Sequence, residues 1–358
     1  MSPRDYITPL DVPEDFDWKS IEAKKVTLVQ TSSVLNEDGD TIASFLPPGS
    51  YDLTVGKGDN LNVVKENVSV QTKAMEGNIK QKIYFPAKDK YATVMFEDLF
   101  PYKGDMDMND IVFGLNIVYF LDNQARLLGI QINIQPRAIG SSVQDIGLAA
   151  NLSSNNYLNI VKSISHSGEP ALAPLFEVTY NKTLYSPELN SKSSQVIPLT
   201  GNLRSYFKNN TEKFINVRNI DKVISTENFS VTIELLSNQI FPISSLTFLQ
   251  PASLGRINLD IFAVFGNRGK EIHYKGQTPT DQFANQYFLI TWPKYDFSTI
   301  DNWVWMVICD QSILYPQEFN KIYNAYPNFK VWAESGGASA PEWYKPSVAE
   351  LLYTKATN

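Results

Sequence analysis

Residues 111–135 read Ile-Val-Phe-Gly-Leu-Asn-Ile-Val-Tyr-Phe-Leu-Asp-Asn-Gln-Ala-Arg-Leu-Leu-Gly-Ile-Gln-Ile-Asn-Ile-Gln. Ile130, Ile132 and Ile134 alternate with Gln131, Asn133 and Gln135. A period of two sets apolar side chains on one face of a strand and amides on the other. Upstream, Ile111, Phe113, Leu115, Ile117 and Tyr119 share one face of a second strand, and its other face is apolar too. Asp122-Asn123-Gln124 supplies a turn between the two. The pair reads as a half-buried antiparallel hairpin, and it sets the fold class as β.

The same signal spreads outward. Ala92–Phe96, Val231–Leu235 and Ile257–Phe265 are strand-like, the last ending at the turn Asn267-Arg268-Gly269. Near the start, Val26–Val29 is strand-like, Asn36–Asp40 is a hairpin turn, and Pro47-Pro48-Gly49 leads into Tyr51-Asp52-Leu53-Thr54-Val55. Glu66–Gln71 reads as another short strand. Helix is scarce. Pro316–Tyr326 suits one, with Phe319, Ile322, Tyr323 and Tyr326 on one face and Pro327 ending it. A second, about 328–335, stops at Gly336-Gly337. Many short strands followed by late helices imply a mainly β fold: an antiparallel, jelly-roll-like β-sandwich with a few short C-terminal helices, preceded by a small β-sandwich domain. The expected layout is an extended lead-in over 1–19, the small domain over 20–78, and the large sandwich over 79–347. A polar, weakly patterned excursion falls near 181–227, and 348–358 reads as a tail.

Composition narrows the function classes. The 358 residues are 43% hydrophobic and 19% charged, the balance of a globular chain rather than a disordered one. A net charge of −7 without a basic run argues against nucleic acid. Two His, His166 and His273, and one Cys, Cys309, do not support a Cys/His zinc site or a catalytic Cys–His pair. No stretch approaches the roughly 18 apolar residues of a transmembrane helix. The start lacks the apolar core of a signal peptide, which fits either a cytoplasmic protein or a mature chain whose leader has been cut away.

Just before the first strand of the hairpin, residues 96–113 read Phe-Glu-Asp-Leu-Phe-Pro-Tyr-Lys-Gly-Asp-Met-Asp-Met-Asn-Asp-Ile-Val-Phe. Calcium takes six to eight oxygens at about 2.3–2.6 Å. Alternation sends Asp105, Asp107 and Asn109 toward one centre. Asp110 can close it by turning back, with Glu97 or Asp98 arriving from the preceding strand, while Gly104 lets the chain bend. The segment is not an EF-hand: counted from Asp105, position six is Asp110 rather than Gly, position twelve is Asn116 rather than Glu, and a strand follows. The alternative is turn capping by Asx side chains, but capping does not need so many anions in one place. The ligand-rich set favours calcium over magnesium, in a structural role.

Other candidates are weaker. Glu271 and His273 share a face if strand-borne, with Asp281 nearby; they form either a metal or acid–base pair or a structural hydrogen bond. Trp292, Trp303, Trp305, Trp332 and Trp343 crowd the C-terminal region, as core or as a sugar-stacking platform. No Gly-rich phosphate loop and no Gly-x-Ser-x-Gly elbow occurs.

Several segments resemble one family, the LruC domain proteins of bacteria. They are Thr93–Pro101 with Gly104–Val112, Arg137–Gly140, Gly266–His273 with Pro279-Thr280, Tyr315-Pro316, Ala325–Phe329, and Trp332–Gly337 before Trp343-Tyr344. In order, they span roughly 82–345, with 150–250 matching loosely. The family usually has an aromatic where this chain has Met108. The resemblance implies an exported protein at the cell surface or in the periplasm, often a lipoprotein held through an N-terminal segment removed from this chain, of unknown biochemical role. The acidic segment also resembles the Phe-Glu-Asp…Gly-Asp-x-Asp-x-Asn-Asp element of some calcium-dependent adhesin modules. The reading is therefore a non-catalytic calcium-binding protein, not an enzyme, with a structural, adhesive or ligand-binding role toward a surface glycan or protein. The alternatives are a carbohydrate-binding or carbohydrate-active module, and a pilus or adhesin component.

Overall fold

The computed structural model describes residues 21–28, 32–46, 49–65, 73–154, 159–168, 170–181, 184–189, 194–208, 211–236, 241–249, 256–289 and 296–355. The lead-in over 1–19, the strand expected over 66–71 and Trp292 lie outside the described residues. The chain divides into two compact units, Met1–Val68 and Ser69–Asn358.

The smaller unit holds two small antiparallel sheets. Strand β1 (Ile21–Leu28) pairs with β4 (Gly49–Gly56), and β2 (Ser32–Leu35) lies between β3 (Thr41–Leu46) and β5 (Asn62–Lys65). The β2–β3 turn is the expected one. Asn36 N donates to Asp40 O at 2.9 Å, and Asn36 Oδ1 accepts the Asp40 N–H at 2.7 Å.

The larger unit is mainly β and built on two sheets. After a short helix α1 (Lys73–Glu76), the first sheet takes β6 (Gln81–Phe85), β7 (Ala92–Phe96), β8 (Ile111–Leu121) and β9 (Leu127–Ala138). The second sheet begins with β10 (Ile146–Ser154). Next come β11 (Val161–His166), β12 (Tyr180–Asn181) and β13 (Leu184–Tyr185) of the first sheet, then β14 (Ser194–Thr200) of the second. Strand β15 (Phe229–Leu235) returns to the first sheet; β16 (Leu246–Phe248), β17 (Ile257–Phe265) and β18 (Glu271–Ile272) complete the second. Helix α2 (Gln286–Leu289), strand β19 (Met306–Cys309), and helices α3 (Ile322–Ala325) and α4 (Phe329–Glu334) close the chain. The first sheet runs β12-β13-β11-β15-β9-β8-β7-β19, with β6 also on β8; the second runs β14-β10-β17-β16, with β18 on β17. The named pairs are antiparallel except β16–β17.

Pairing of β8 and β9 confirms the hairpin, with Ile117 opposite Ile132 and Leu115 opposite Ile134. Ile130, Ile132 and Ile134 are fully buried, in one core with Leu148, Ala150, Leu259 and Ile261 of the second sheet. Each such Ile is worth about 1.5–3 kcal/mol of burial. The doubly apolar β8 has a physical reason. Its odd-numbered residues fill the sandwich core, while Val112 meets a second cluster with Met95, Trp303 and Phe329, and Val118 and Phe120 cover Met75. Met75 thus belongs with the larger unit, so the division falls at 68/69 rather than at 78/79.

Three expectations need correction. The stretch 181–227 is not simply an irregular excursion: β14 pairs with β10, and Val196, Ile197, Leu199, Leu203, Phe207 and Ile215 are core. Its polar loops mask this apolar content. The end of the chain is not a tail through 355: Tyr353 is buried and stacks on Tyr315 at 5.2 Å. The helix expected from Pro316 exists only as α3. Phe319 takes a left-handed φ of 65° that gives its N–H to Asp107 Oδ2, and Lys321 is extended at φ −53° and ψ 132°, so the helical run is broken before Ile322. A distant acceptor won over local propensity.

Candidate metal centre and a buried ion-pair network

The acidic segment lies between β7 and β8, whose ends pair as Phe96 with Ile111. The turn brings Glu97 and Asp98, just past β7, against Asp110, just before β8. Asp98 N donates to Asp110 Oδ2 at 2.7 Å. Met106 N donates to Glu97 Oε2 at 3.0 Å, and Asn109 N to Asp107 Oδ1 at 3.2 Å, an Asx turn of the expected capping kind. Gly104 (φ +67°) lies directly over Glu97, and a Cβ there would collide with Oε1. Met106 (φ 65°) and Met108 (φ 58°) are also left-handed, a conformation costing about 1–3 kcal/mol each at non-glycine positions.

Two carboxylate groups result, with their ligand oxygens within 4.8 Å of one another: Glu97, Asp105 and Asp107, and Glu97, Asp98 and Asp110. The expected single centre is therefore two adjoining groups that share Glu97. Asp110 does not close the Asp105–Asp107 group but joins Glu97 and Asp98 instead. Asn109 donates from Nδ2 to Pro316 O at 3.2 Å, while its buried Oδ1 has no hydrogen-bond partner. A Cβ at Gly140 would collide with that oxygen, so this glycine gives Asn109 its place.

Glu97 is only 1% exposed and Asp107 2%. Burial, with the charges of Asp105, Asp107 and Asp98, pushes the Glu97 carboxyl up to about 9. Burial and Asp105 push Asp107 up to about 7. Burial, then Asp98 and Glu97, holds Asp110 well above the carboxylate range. Sequence reasoning missed Glu318. Burial, then Asp107 and Asp105, pushes its carboxyl up to about 8. No local signal in the sequence marks it, since it stands more than two hundred residues from the loop. Among the described residues, none of these carboxylates forms an ion pair with Lys, Arg or His. Lys270 comes nearest the inner group, donating to Asp98 O at 2.6 Å, and Ser141 Oγ donates to Asp98. Orphaned buried oxygens among repelling carboxylates fit an oxygen-liganded cation such as calcium.

The Glu271–His273 pair is structural. His273 is fully buried, with Nδ1 2.5 Å from Asp260 Oδ2 and Nε2 2.8 Å from Glu271 Oε2. Both ring nitrogens face carboxylates, an arrangement the imidazolium satisfies with its two donors where a neutral ring has one. Burial opposes that charge, but Asp260 and Glu271 push its pKa up to about 9. Glu271 falls to about 2 against burial, held by His273 and Arg268. Arg268 also clamps Glu188 at 2.7 and 2.6 Å, and Thr280 N donates to Glu271 at 2.9 Å. Asp281 stands exposed, outside this set.

The described Trp rings are mostly core. Trp303, Trp305 and Trp343 are buried and Trp332 is half-buried. Trp343 meets Phe329 edge-on at 5.0 Å, and Trp305 meets Phe100 at 4.9 Å. They do not form an exposed sugar-stacking platform.

The family described as a domain of unknown function, DUF4842, matches residues 126–344. This chain belongs to that family. The DUF4842 match takes in the His273 network and Glu318, and begins after the acidic loop. No curated protein matches the chain. Among solved structures it is similar to a Bacteroides ovatus protein described as a candidate lipoprotein, at 17% identity over 94% of each chain, with a TM-score of 0.49. No helix among the described residues is long and apolar enough to cross a membrane.

Proposed function

We propose that this DUF4842 protein is a non-catalytic calcium-binding protein of the LruC type, working at the cell surface or in the periplasm. The observation that carries the reading is the pair of carboxylate groups joined at Glu97, repelled by one another and without a paired cation among the described residues. Calcium supplies the missing charge and tolerates a large, irregular oxygen set, where magnesium demands a near-ideal octahedron. Burial favours a structural role: Glu97, Asp98 and Asp107 are buried within the loop. The metal would pin the 97–110 loop at the β7–β8 turn and steady the face that a surface glycan or protein meets. The exported, lipid-anchored setting rests on the LruC resemblance alone. The test is calorimetry and thermal unfolding of chelator-treated protein. Calcium should release or absorb heat and raise the unfolding midpoint; no heat and no shift would end the reading.

A further inference from the structure

The described residues of 208–225 frame a cleft of about 440 Å³, which the calcium reading does not use. We propose that this cleft binds an acidic sugar, a uronate-type residue of a glycan. It takes up the glycan-facing role proposed above, but it shares no residue with the two carboxylate groups and needs no bound ion. Its volume lies in the range of small-ligand sites, roughly 300–1,000 Å³. Hydrogen bonds brace the frame. Lys208 N donates to Ser225 O at 3.0 Å. Buried Asn216 holds Ile224, donating from Nδ2 to its O at 2.8 Å and accepting its N–H on Oδ1 at 2.8 Å. Buried Arg204 donates to Glu212 O at 3.2 Å and to Lys213 O at 3.0 Å, which fixes the opposite arm. Backbone groups and two buried side chains therefore hold the cleft, and the side chains of Lys208, Arg218 and Lys222 are left to line it.

The lining selects the ligand. Residues 208–222 carry Lys208, Lys213, Arg218 and Lys222 against Glu212 and Asp221, a positive stretch in a chain of net charge −7. Among the described residues Lys222 forms no ion pair, and Lys208 pairs only with Glu227, at 3.8 Å with both side chains exposed. A carboxylate between these ammonium groups gains charge-assisted hydrogen bonds. Arg218 Nε donates to Asp221 Oδ2 at 2.7 Å, which leaves the Nη donors and the Oδ1 acceptor side by side. Two neighbouring hydroxyls need that arrangement, since each hydroxyl both gives and accepts a hydrogen bond. Half-buried Phe214 adds an apolar wall for the C–H face of the ring. A free phosphate or sulfate would meet the cations but be repelled by Asp221 and Glu212. A carboxylated sugar brings one charge with several hydroxyls and uses both kinds of group.

The experiment titrates the full chain, in chelator, with galacturonate and glucuronate trisaccharides by calorimetry, beside their neutral galactose and glucose counterparts and inorganic sulfate. One acidic sugar should bind, and its neutral counterpart and sulfate should bind about tenfold or more weakly, since each lacks part of the contact set. Lys208→Glu and Lys222→Glu should each weaken the acidic sugar about tenfold or more, the loss of one hydrogen bond to a charged group. Their unfolding midpoints should not move, because both side chains are exposed. Arg218→Lys keeps the charge but not the paired donors, and should weaken acidic and neutral sugars alike. Lys330→Ala, outside the cleft, should change nothing. No binding of either acidic sugar, equal affinity for the neutral sugar or for sulfate, or unchanged affinity in the lysine variants or in Arg218→Lys overturns the site. Should a charge-reversed variant unfold, Lys208→Ala and Lys222→Ala read the same loss. The heat of calcium binding, measured separately without chelator, decides the calcium reading whatever the sugars do.

Discussion

The acidic loop and the His273 network both bury several carboxylates, yet they solve the charge problem in opposite ways. Around His273 the chain carries its own cations: His273 and Arg268 stand among Asp260, Glu271 and Glu188. Around Glu97 the chain supplies carboxylates and leaves oxygens unpartnered. A network that carries its own cations acts as a structural joint, here with two cations among three carboxylates and only Asp260 Oδ1 left without a hydrogen bond. An under-neutralised one has capacity for an external ion. The number of buried acids does not separate the two; the identity of their partners does.

The strongest way to break this comparison is to unbalance the self-neutralised side. Glu271→Gln keeps the shape but leaves Arg268 and His273 without their shared anion. It should cost about 3–5 kcal/mol of stability, the range for breaking a buried pair, read from the urea midpoint. A loss below about 1 kcal/mol would show that the network is not a joint.

Calcium should act on the other side alone. At a hundred times its dissociation constant, it should add about 2.7 kcal/mol to the wild type. Asp107→Asn should abolish that gain, and Glu271→Gln, destabilised as it is, should keep it. A gain that follows Glu271 instead would merge the two regions into one.

pH sharpens the contrast. Glu97 and Asp107 are raised in the fold, so the metal-free native state holds protons that the unfolded chain releases. Its stability at the loop should fall as pH rises from about 4.5 to about 9, and calcium should remove that fall. His273 is raised as well: its contribution is full below about 6.5 and lost as pH rises through about 9, and calcium should not restore it. Glu271 is lowered, so its contribution is present above 4.5 and lost as pH falls through about 2. Hydrogen exchange at 105–110 and at 271–280, with and without calcium, reads the two separately. A calcium response at both would contradict the assignment.

The smallest effect is the control. Lys103 pairs with Asp301 at 2.7 Å near the acidic loop, but both side chains are substantially exposed. Lys103→Ala should cost at most about 1 kcal/mol and leave calcium affinity within a factor of a few. A large loss of affinity would mean that the ion sits nearer this rim than Glu97.

Local patterns were legible wherever one segment contained its own answer. The Ile130–Ile134 alternation specified strand, face and hairpin, and the Asn36–Asp40 turn followed from its residues. Asp105 and Asp107, alternate in the loop, do fall with Glu97 in one carboxylate group, because side-chain direction over a few residues is a property of the backbone. What the chain does over long separations was not legible. Asp110 turned to Asp98, Pro316–Lys321 gave up its helix where Phe319 turned its N–H to Asp107, and His273 chose Asp260 over Asp281. The sequence by itself determined a β protein with an oxygen-rich loop. Only the tertiary structure decided that its carboxylates divide at Glu97, that the segment at Phe319 meets them, and that one acidic cluster is ion-paired to His273 and Arg268 while, among the described residues, the other forms no ion pair. Charge compensation depends on distance in space, and residues two hundred positions apart leave no periodic trace of their contact.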